Sequence, residues 1–84
     1  MPEEKIGVVT HFFPKPMVAA LDLSGELRVG DRIHVHGHTT DYEQVVDSMQ
    51  IEHQGVETAG PGDAVGLKVT DYTRQGDTVY KITD

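Results

Sequence analysis

The histidines in the middle of the chain have the spacing best suited to chemistry. They occur in the run His34-Val35-His36-Gly37-His38. Residues two apart on a strand share a face, so His34 and His36 could hold one zinc or nickel ion between their imidazoles. A third ligand would come from His11, His38, Asp41 or His53. The alternative is an exposed strand face that carries imidazoles, and we favour it because no carboxylate is clearly placed to orient them. We therefore predict no bound metal, with His34, His36 and His38 as weak candidates.

Two pairs of a histidine and an acid could in principle exchange protons. Glu52 and His53 are adjacent, and neighbours on a strand point to opposite faces, so they are not expected to cooperate. His38 and Asp41 flank two threonines, where hydroxyl and carboxylate oxygens ordinarily accept hydrogen bonds from loop amides. No serine or cysteine has the setting of a nucleophile. We predict that the chain is not an enzyme and uses no cofactor.

Three Gly-Asp pairs mark where the elements that carry these side chains begin. They are Gly30-Asp31, Gly62-Asp63 and Gly76-Asp77, and the runs that follow, residues 32–36, 64–69 and 78–82, are rich in β-branched or aromatic residues. Glycine supplies the backbone freedom of a sharp turn, and aspartate accepts hydrogen bonds from nearby backbone N–H groups. Each pair therefore predicts a turn followed by a strand.

Hydrophobic alternation predicts about six strands. They cover residues 5–13, 17–23, 32–36, 41–53, 64–69 and 78–83. In the second, the apolar row of Met17, Ala19, Leu21 and Leu23 is expected to face the core, and Leu27 and Val29 to tuck beneath the following turn. Residues 41–53 are irregular, so we predict a β-bulge at 46–48, with a helix as the rival. Residues 55–62 show no periodicity. The pattern predicts an all-β fold, a six-stranded closed or nearly closed antiparallel barrel.

Aromatic side chains offer a different chemistry, stacking on unpaired bases. Phe12 and Phe13 are adjacent on a predicted strand, so one points into the core and the other to the surface. Tyr42 is a third candidate for stacking. Core packing is the simpler role for at least one of the three.

Composition limits the classes of partner. Fourteen acidic residues against seven basic ones give a formal net charge of −7, and the basic residues are scattered. This field repels phosphates, so we predict no DNA binding. The chain has no cysteine, which fits a reducing compartment. We expect one domain over residues 1–84, in a cytoplasmic protein without a membrane span.

Several short sequence segments resemble segments of known protein families. Residues 27–33, 59–67 and 74–79 read Leu-Arg-Val-Gly-Asp-Arg-Ile, Ala-Gly-Pro-Gly-Asp-Ala-Val-Gly-Leu and Arg-Gln-Gly-Asp-Thr-Val. They resemble domain II of translational GTPases such as elongation factor Tu. Residues 37–41 and 48–53 are more similar to the small C-terminal barrel of the collagenase-like peptidase family, some of whose members are regarded as tRNA-hydroxylating enzymes. The resemblance implies a Greek-key barrel of the translation-protein domain II type, here expected to stand alone.

The resemblance also implies a function. No phosphate-binding loop of the GTPase type is present, so we expect no GTP chemistry. In elongation factor Tu this barrel helps to hold the aminoacyl end of tRNA; His53 falls where that factor has an arginine and Ala64 where it has an asparagine. We predict a non-catalytic recognition module that contacts RNA (tRNA) or a translation or tRNA-modification protein. The predicted contact residues are Gln50, Glu52, His53, Val65, Gly66, His38, Thr39, Asp41 and Arg74. The alternatives are a protein-only adaptor with an acidic surface and a small His-rich metal-binding protein.

Overall fold

The computed structural model describes residues 2–83, and the regular elements in this range are all β-strands. They are β1 (Glu3–Phe13), β2 (Val18–Leu23), β3 (Leu27–Arg28), β4 (Arg32–His36), β5 (Asp41–Val45), β6 (Met49–Ile51), β7 (Gln54–Val56), β8 (Thr58–Ala59), β9 (Ala64–Lys68) and β10 (Thr78–Ile82). All their pairings are antiparallel. The all-β prediction is confirmed, while the number of strands was underestimated. The same range contains no helix with the length and apolar character needed to cross a membrane.

Eight of the strands form one sheet, in the order β5-β4-β10-β1-β2-β9-β6-β7, and β3 pairs with β8 in a separate ribbon. The long strand β1 lies at the centre, between β10 from the end of the chain and β2. Within residues 2–83 no strand pairing joins the end strands β5 and β7. The closed form of the predicted barrel therefore stays a prediction.

The side chain of Gln44, on the end strand β5, forms hydrogen bonds with the chain at the end of β9. Its Nε2 donates to the carbonyl oxygen of Lys68 at 2.9 Å, and its Oε1 accepts from the backbone N–H of Thr70 at 2.8 Å. A side-chain amide carries the same donor and acceptor groups as a peptide group, so Gln44 stands in for a strand partner beside the end of β9. The Gln44 residue is only 9% exposed.

The segment predicted as one strand over residues 41–53 is divided. β5 ends at Val45 and pairs with β4, whereas β6 begins at Met49 and pairs with β9. Residues 46–48 carry the chain between the two partners, with Val46 buried and its N–H bonded to the carbonyl of Asp31. The predicted bulge and the rival helix were both wrong. Strands β7 and β8 lie in residues 54–59, where runs of two or three residues are too short to show a period.

The strand β1 changes register twice. Its pairing with β10 shifts between Lys5 and Gly7, and its pairing with β2 shifts between Val9 and His11. Each shift adds a residue on β1, which bends the strand and increases its twist. One strand of 11 residues thus serves both halves of the curved sheet.

The core lies against one face of the sheet. Its largest fully buried side chains are Ile6, Leu21, Leu27, Ile33, Met49, Leu67, Val9, Val35, Val46 and Val79. The predicted inward row of β2 is confirmed for Ala19, Leu21 and Leu23. The burial predicted for Leu27 is confirmed, but that for Val29 was wrong, since Val29 is 41% exposed.

The three Gly-Asp pairs form the same turn, as predicted. The glycines have φ of 99°, 89° and 94°, the positive value that the third residue of a type II turn requires. In each turn an aspartate carboxylate accepts the backbone N–H three residues earlier, at 2.9 Å for Arg28 and Asp31, 2.9 Å for Gly60 and Asp63, and 2.8 Å for Arg74 and Asp77. The strands β4, β9 and β10 begin immediately afterwards.

Candidate functional site

A groove of about 260 Å³ lies on the outer face of the sheet, across β2, β9 and β6. Its lining residues are Phe13, Val18, Ala20, Gln50, Glu52, His53, Ala64, Val65 and Gly66. Successive side chains of a strand point to opposite faces of the sheet. On β2, Ala19 and Leu21 point into the core, so Val18 and Ala20 point to the groove. The outer face therefore carries both the groove and the residues that can reach a partner.

The floor of the groove follows from strand register. His11, Ala20, Gly66 and Gln50 lie opposite one another on β1, β2, β9 and β6. Ala20 projects one methyl group and Gly66 projects no side chain. The surface is therefore recessed at these two residues, between the larger side chains of His11 and Gln50. A partner can thus approach the sheet closely at β2 and β9.

One wall of the groove is aromatic. Phe13 is 46% exposed, and its ring lies 4.4 Å from that of His11, centroid to centroid, at 60°. Phe12 instead packs against the core and meets Tyr72 edge-on at 5.9 Å. The prediction that the two phenylalanines point to opposite faces is confirmed.

The opposite wall is the tip of the β6–β7 hairpin. Glu52 and His53 have φ of 51° and 66° and form the two-residue turn between Ile51 and Gln54, which are paired. Positive φ at both central residues is typical of a type I′ turn. The expectation that Glu52 and His53 point to opposite faces of a strand was wrong, because they lie in a turn and both line the groove.

Among the residues that line the groove, Glu52 carries a formal charge, and two lysines and another acid lie near the lining residues in sequence or register. Lys68 lies opposite the lining residue Val18, and Lys15 lies in the turn between Phe13 and Val18. On the other sides are Glu52 and, opposite Ala64, Asp22. Lys15 thus follows Phe13 by two residues, Lys68 and Phe13 both lie opposite Val18, on β9 and β1, and Glu52 is at the hairpin tip.

The structure divides the predicted contact residues into two groups. Gln50, Glu52, His53, Val65 and Gly66 line the groove, whereas His38, Thr39, Asp41 and Arg74 are not among its lining residues. The second group lies where the β4–β5 loop meets the Gly76-Asp77 turn, and Gly37 packs against the Asp77 side chain there. Sequence reasoning left Phe13, Val18 and Ala20 off the contact list. The small residues on β2 were the available signal, but their place opposite Gly66 depends on register.

On the other half of the sheet, His34 is held between two carboxylates. Its Nδ1 lies 3.0 Å from Glu3 Oε2 and its Nε2 lies 2.5 Å from Asp41 Oδ1. The hydrogen bond to Asp41 and then that to Glu3 raise the pKa of His34 above its ordinary value. The hydrogen bond from His34 in turn lowers the pKa of Asp41. The sequence had suggested no carboxylate placed to orient these histidines, and the structure provides two.

The rings of His34 and His36 are neighbours on one face of β4. The His34 and His36 rings are 5.6 Å apart, as expected for residues that share a face, but both nitrogens of His34 already bond to acids. In residues 2–83 no cluster of three or more His, Cys, Asp or Glu side chains is arranged to hold a metal ion. Tyr42, the third stacking candidate, bonds through its hydroxyl to Thr73 at 2.7 Å and is half-buried.

The two carboxylates that bond to His34 make the stability of the protein depend on the protonation of His34. Its pKa is raised in the folded protein, so the stabilisation is fully present below the unfolded value of 6.5 and is lost as pH rises through the folded value. At the acid end, the Asp41 contribution is lost as pH falls through its lowered pKa, below 3.8. We expect His34→Gln to lower the free energy of unfolding more at about pH 5.5 than at about pH 8.5.

Urea unfolding of both proteins at the two pH values measures this difference. His38→Gln, which changes an exposed histidine of the same run, is the matched control and is expected to alter stability by no more than about 0.5 kcal/mol. An equal loss of stability for His34→Gln at both pH values would show that the hydrogen bonds of His34 to Glu3 and Asp41 do not stabilise the protein in this way. An NMR titration of the His34 ring checks the raised pKa directly.

Comparison with known proteins identifies the family. Residues 15–82 match the family described as elongation factor G domain 2.

The chain belongs to the elongation factor G domain 2 family.

Solved structures show the same fold as this domain 2 chain. The C-terminal domain of a Geobacillus thermoleovorans protein assigned to the U32 peptidases superposes with a TM-score of 0.89, covering 95% of this chain and 93% of that domain at 22% identity. A selenomethionine variant of that domain gives a TM-score of 0.86 over 90% of this chain and 96% of its own, also at 22% identity. The resemblance to translation-factor domain II and to the peptidase C-terminal barrel is confirmed.

Two longer proteins are relatives in sequence. An uncharacterized protease of Methanocaldococcus jannaschii is 43% identical over 81 residues, which cover 95% of this chain and 20% of that protein. A collagenase of Porphyromonas gingivalis is 33% identical over 78 residues, covering 90% of this chain and 22% of the collagenase. The chain thus spans about a fifth of the length of these relatives.

Proposed function

We propose that this chain is a non-catalytic recognition module of the domain 2 type, which docks on RNA, and on tRNA in particular, through the outer groove. One observation carries the proposal: five residues predicted as partner contacts, from two separate segments of the chain, line a single groove. They are Gln50, Glu52, His53, Val65 and Gly66. A translation or tRNA-modification protein is the alternative partner.

The shape of the groove suits one planar group. Its volume of about 260 Å³ is smaller than the usual pocket for a drug-sized ligand. The exposed ring of Phe13 offers a face on which an unpaired base can stack, and the low floor at Ala20 and Gly66 leaves room beside it. The amide of Gln50 can donate to and accept from a base edge.

Local charge also favours an unpaired end over a duplex. Lys15 lies in the turn after Phe13 and Lys68 lies opposite the lining residue Val18, and both can neutralise phosphates that flank a stacked base. A duplex would bring many phosphates against a chain of net charge −7. A short single-stranded segment brings few, so the groove fits the unpaired end or loop of a structured RNA.

The family resemblance supports the same surface. Elongation factor Tu uses this barrel near the corresponding strands to hold the aminoacyl end of tRNA. The arginine and asparagine found there are His53 and Ala64 in this chain. We therefore propose contact with RNA itself, without recognition of an aminoacyl group.

The test is an NMR titration of isotope-labelled protein with deacylated tRNA, at about 50 mM and then about 200 mM salt, because electrostatic binding weakens steeply over this range. Amide shifts are expected at the residues that line the groove. Phe13→Ala is expected to remove a stacking contribution of about 1–3 kcal/mol, which is about 5- to 150-fold in affinity. An unchanged wild-type spectrum at the lower salt concentration would contradict RNA binding and direct the search to protein partners.

A lysine pair provides the matched control. Lys68 lies on the groove face, whereas Lys5 lies opposite Tyr80 in the other half of the sheet, and both are exposed. Lys68→Ala should lessen the slope of log affinity against log salt by about 0.7, the share of one phosphate contact on a single strand. Lys5→Ala should leave the slope unchanged. Equal effects of the two variants would mean that RNA does not use the groove.

A further inference from the structure

The turn at the rim of the groove is made of residues that disfavour its conformation. Two-residue hairpins of type I′ need positive φ at both positions, which Asn-Gly supplies readily. This chain has Glu52 at 51° and His53 at 66° instead. Residues with a Cβ seldom adopt this conformation, since it crowds Cβ against the following carbonyl oxygen. The hairpin would form more readily with other residues.

Packing does not account for the choice of Glu52 and His53. Both side chains are exposed, and neither belongs to the core cluster. Both line the groove, facing the wall that carries Phe13. Strained conformations of this kind concentrate at binding sites, where the rigid turn fixes the direction of the side chains.

We propose that the Glu52-His53 turn is a specificity-determining contact of the groove and that it recognises the sugar hydroxyls of the bound nucleotide. This inference rests on the proposed RNA binding. The charge distribution indicates which part of the nucleotide meets the turn. Lys15, in the turn before Val18, and Lys68, opposite Val18, can attract phosphates, while the carboxylate of Glu52 repels them and accepts hydrogen bonds from hydroxyl groups.

Sugar recognition distinguishes RNA from DNA, since the 2′-hydroxyl is the group that deoxyribose lacks. The domain should bind a short single-stranded oligoribonucleotide at least about tenfold more tightly than its deoxy counterpart, the loss expected when a hydrogen bond to a charged group is left unmade. Glu52→Gln keeps the shape of the side chain but weakens the acceptor. It is expected to reduce this preference severalfold.

The second variant combines Glu52→Asn with His53→Gly. Relief of the unfavourable turn should raise Tm by about 4–8 °C, while affinity for the oligoribonucleotide falls at least about tenfold. Met17→Gly is the matched control, because Met17 also has a positive φ of 55° but does not line the groove. It should leave affinity unchanged.

The outcomes separate this inference from the proposed function. If the Asn-Gly variant binds as tightly as the wild type, or if the wild type binds RNA and DNA equally while Phe13→Ala still weakens binding, the role of the turn is overturned and RNA docking stands. If Tm of the Asn-Gly variant does not rise, the argument from backbone conformation fails. If the wild type binds neither oligonucleotide and shows no amide shifts with tRNA, the proposed function itself fails.

Discussion

Replacing Gln44 by leucine is expected to lower the free energy of unfolding by about 1–3 kcal/mol, because two backbone groups lose their partner. The carbonyl of Lys68 and the N–H of Thr70 both bond to the Gln44 amide, at 2.9 and 2.8 Å. Leucine fills a similar volume and makes neither bond. Urea unfolding followed by circular dichroism measures the loss.

Two further variants sharpen this test. Gln54→Leu makes the same chemical change at an exposed position of β7 and should alter stability by no more than about 0.5 kcal/mol. Gln44→Glu retains the acceptor for Thr70 but, when ionised, cannot donate to Lys68. Its stability should recover as the buried carboxyl is protonated at acid pH, since burial favours the neutral form. Equal stability of Gln44→Leu and Gln54→Leu would show that the Gln44 bridge contributes nothing.

Replacing Gly37 by alanine is expected to destabilise the domain by about 1–3 kcal/mol through overpacking. A Cβ at this position would lie 1.9 Å from Oδ1 and 2.6 Å from Cγ of Asp77. Asp77 cannot easily move, because it is 4% exposed and its other carboxylate oxygen accepts the N–H of Arg74. Gly37 does not have a positive φ, so the loss would be steric.

A double-mutant cycle separates the clash from other effects. Asp77→Ala removes the atoms that a Cβ on Gly37 would meet most closely, at the expense of the turn bond to Arg74. In that background Gly37→Ala should have little further effect, which corresponds to a coupling energy of about 1–3 kcal/mol. Gly55→Ala, with no atom within 4 Å of the added Cβ, is the control and should be close to neutral. Additive losses in the cycle would contradict a direct contact.

The groove is formed by three parts of the fold. Its floor requires two small residues on adjacent strands, its aromatic wall ends β1, and its polar wall is a hairpin tip. Apart from Val65, which is also part of the core, the groove residues can change without disturbing the core. Variants in the groove therefore test binding, while variants of Gln44 and Gly37 test folding.

Local sequence patterns were enough to predict the turns and five of the ten strands. A Gly-Asp turn is held by bonds between residues three apart, and alternation depends only on neighbours along the chain, so both can be predicted from local sequence. The same reasoning predicted that Phe12 and Phe13 face opposite sides. It could not anticipate β3, β7 and β8, which are too short to show a period.

The contacts between distant residues became known from the fold. The Gln44 bridge joins residues 24 and 26 positions apart, and Glu3 and His34 are separated by 31 positions. The groove depends on the register that aligns Ala20, Gly66 and Gln50 across three strands. Register shifts at bulges and loop lengths set these alignments, and a shift of one residue would move each side chain to the other face. The site thus depends on contacts between distant segments, which local sequence patterns do not encode.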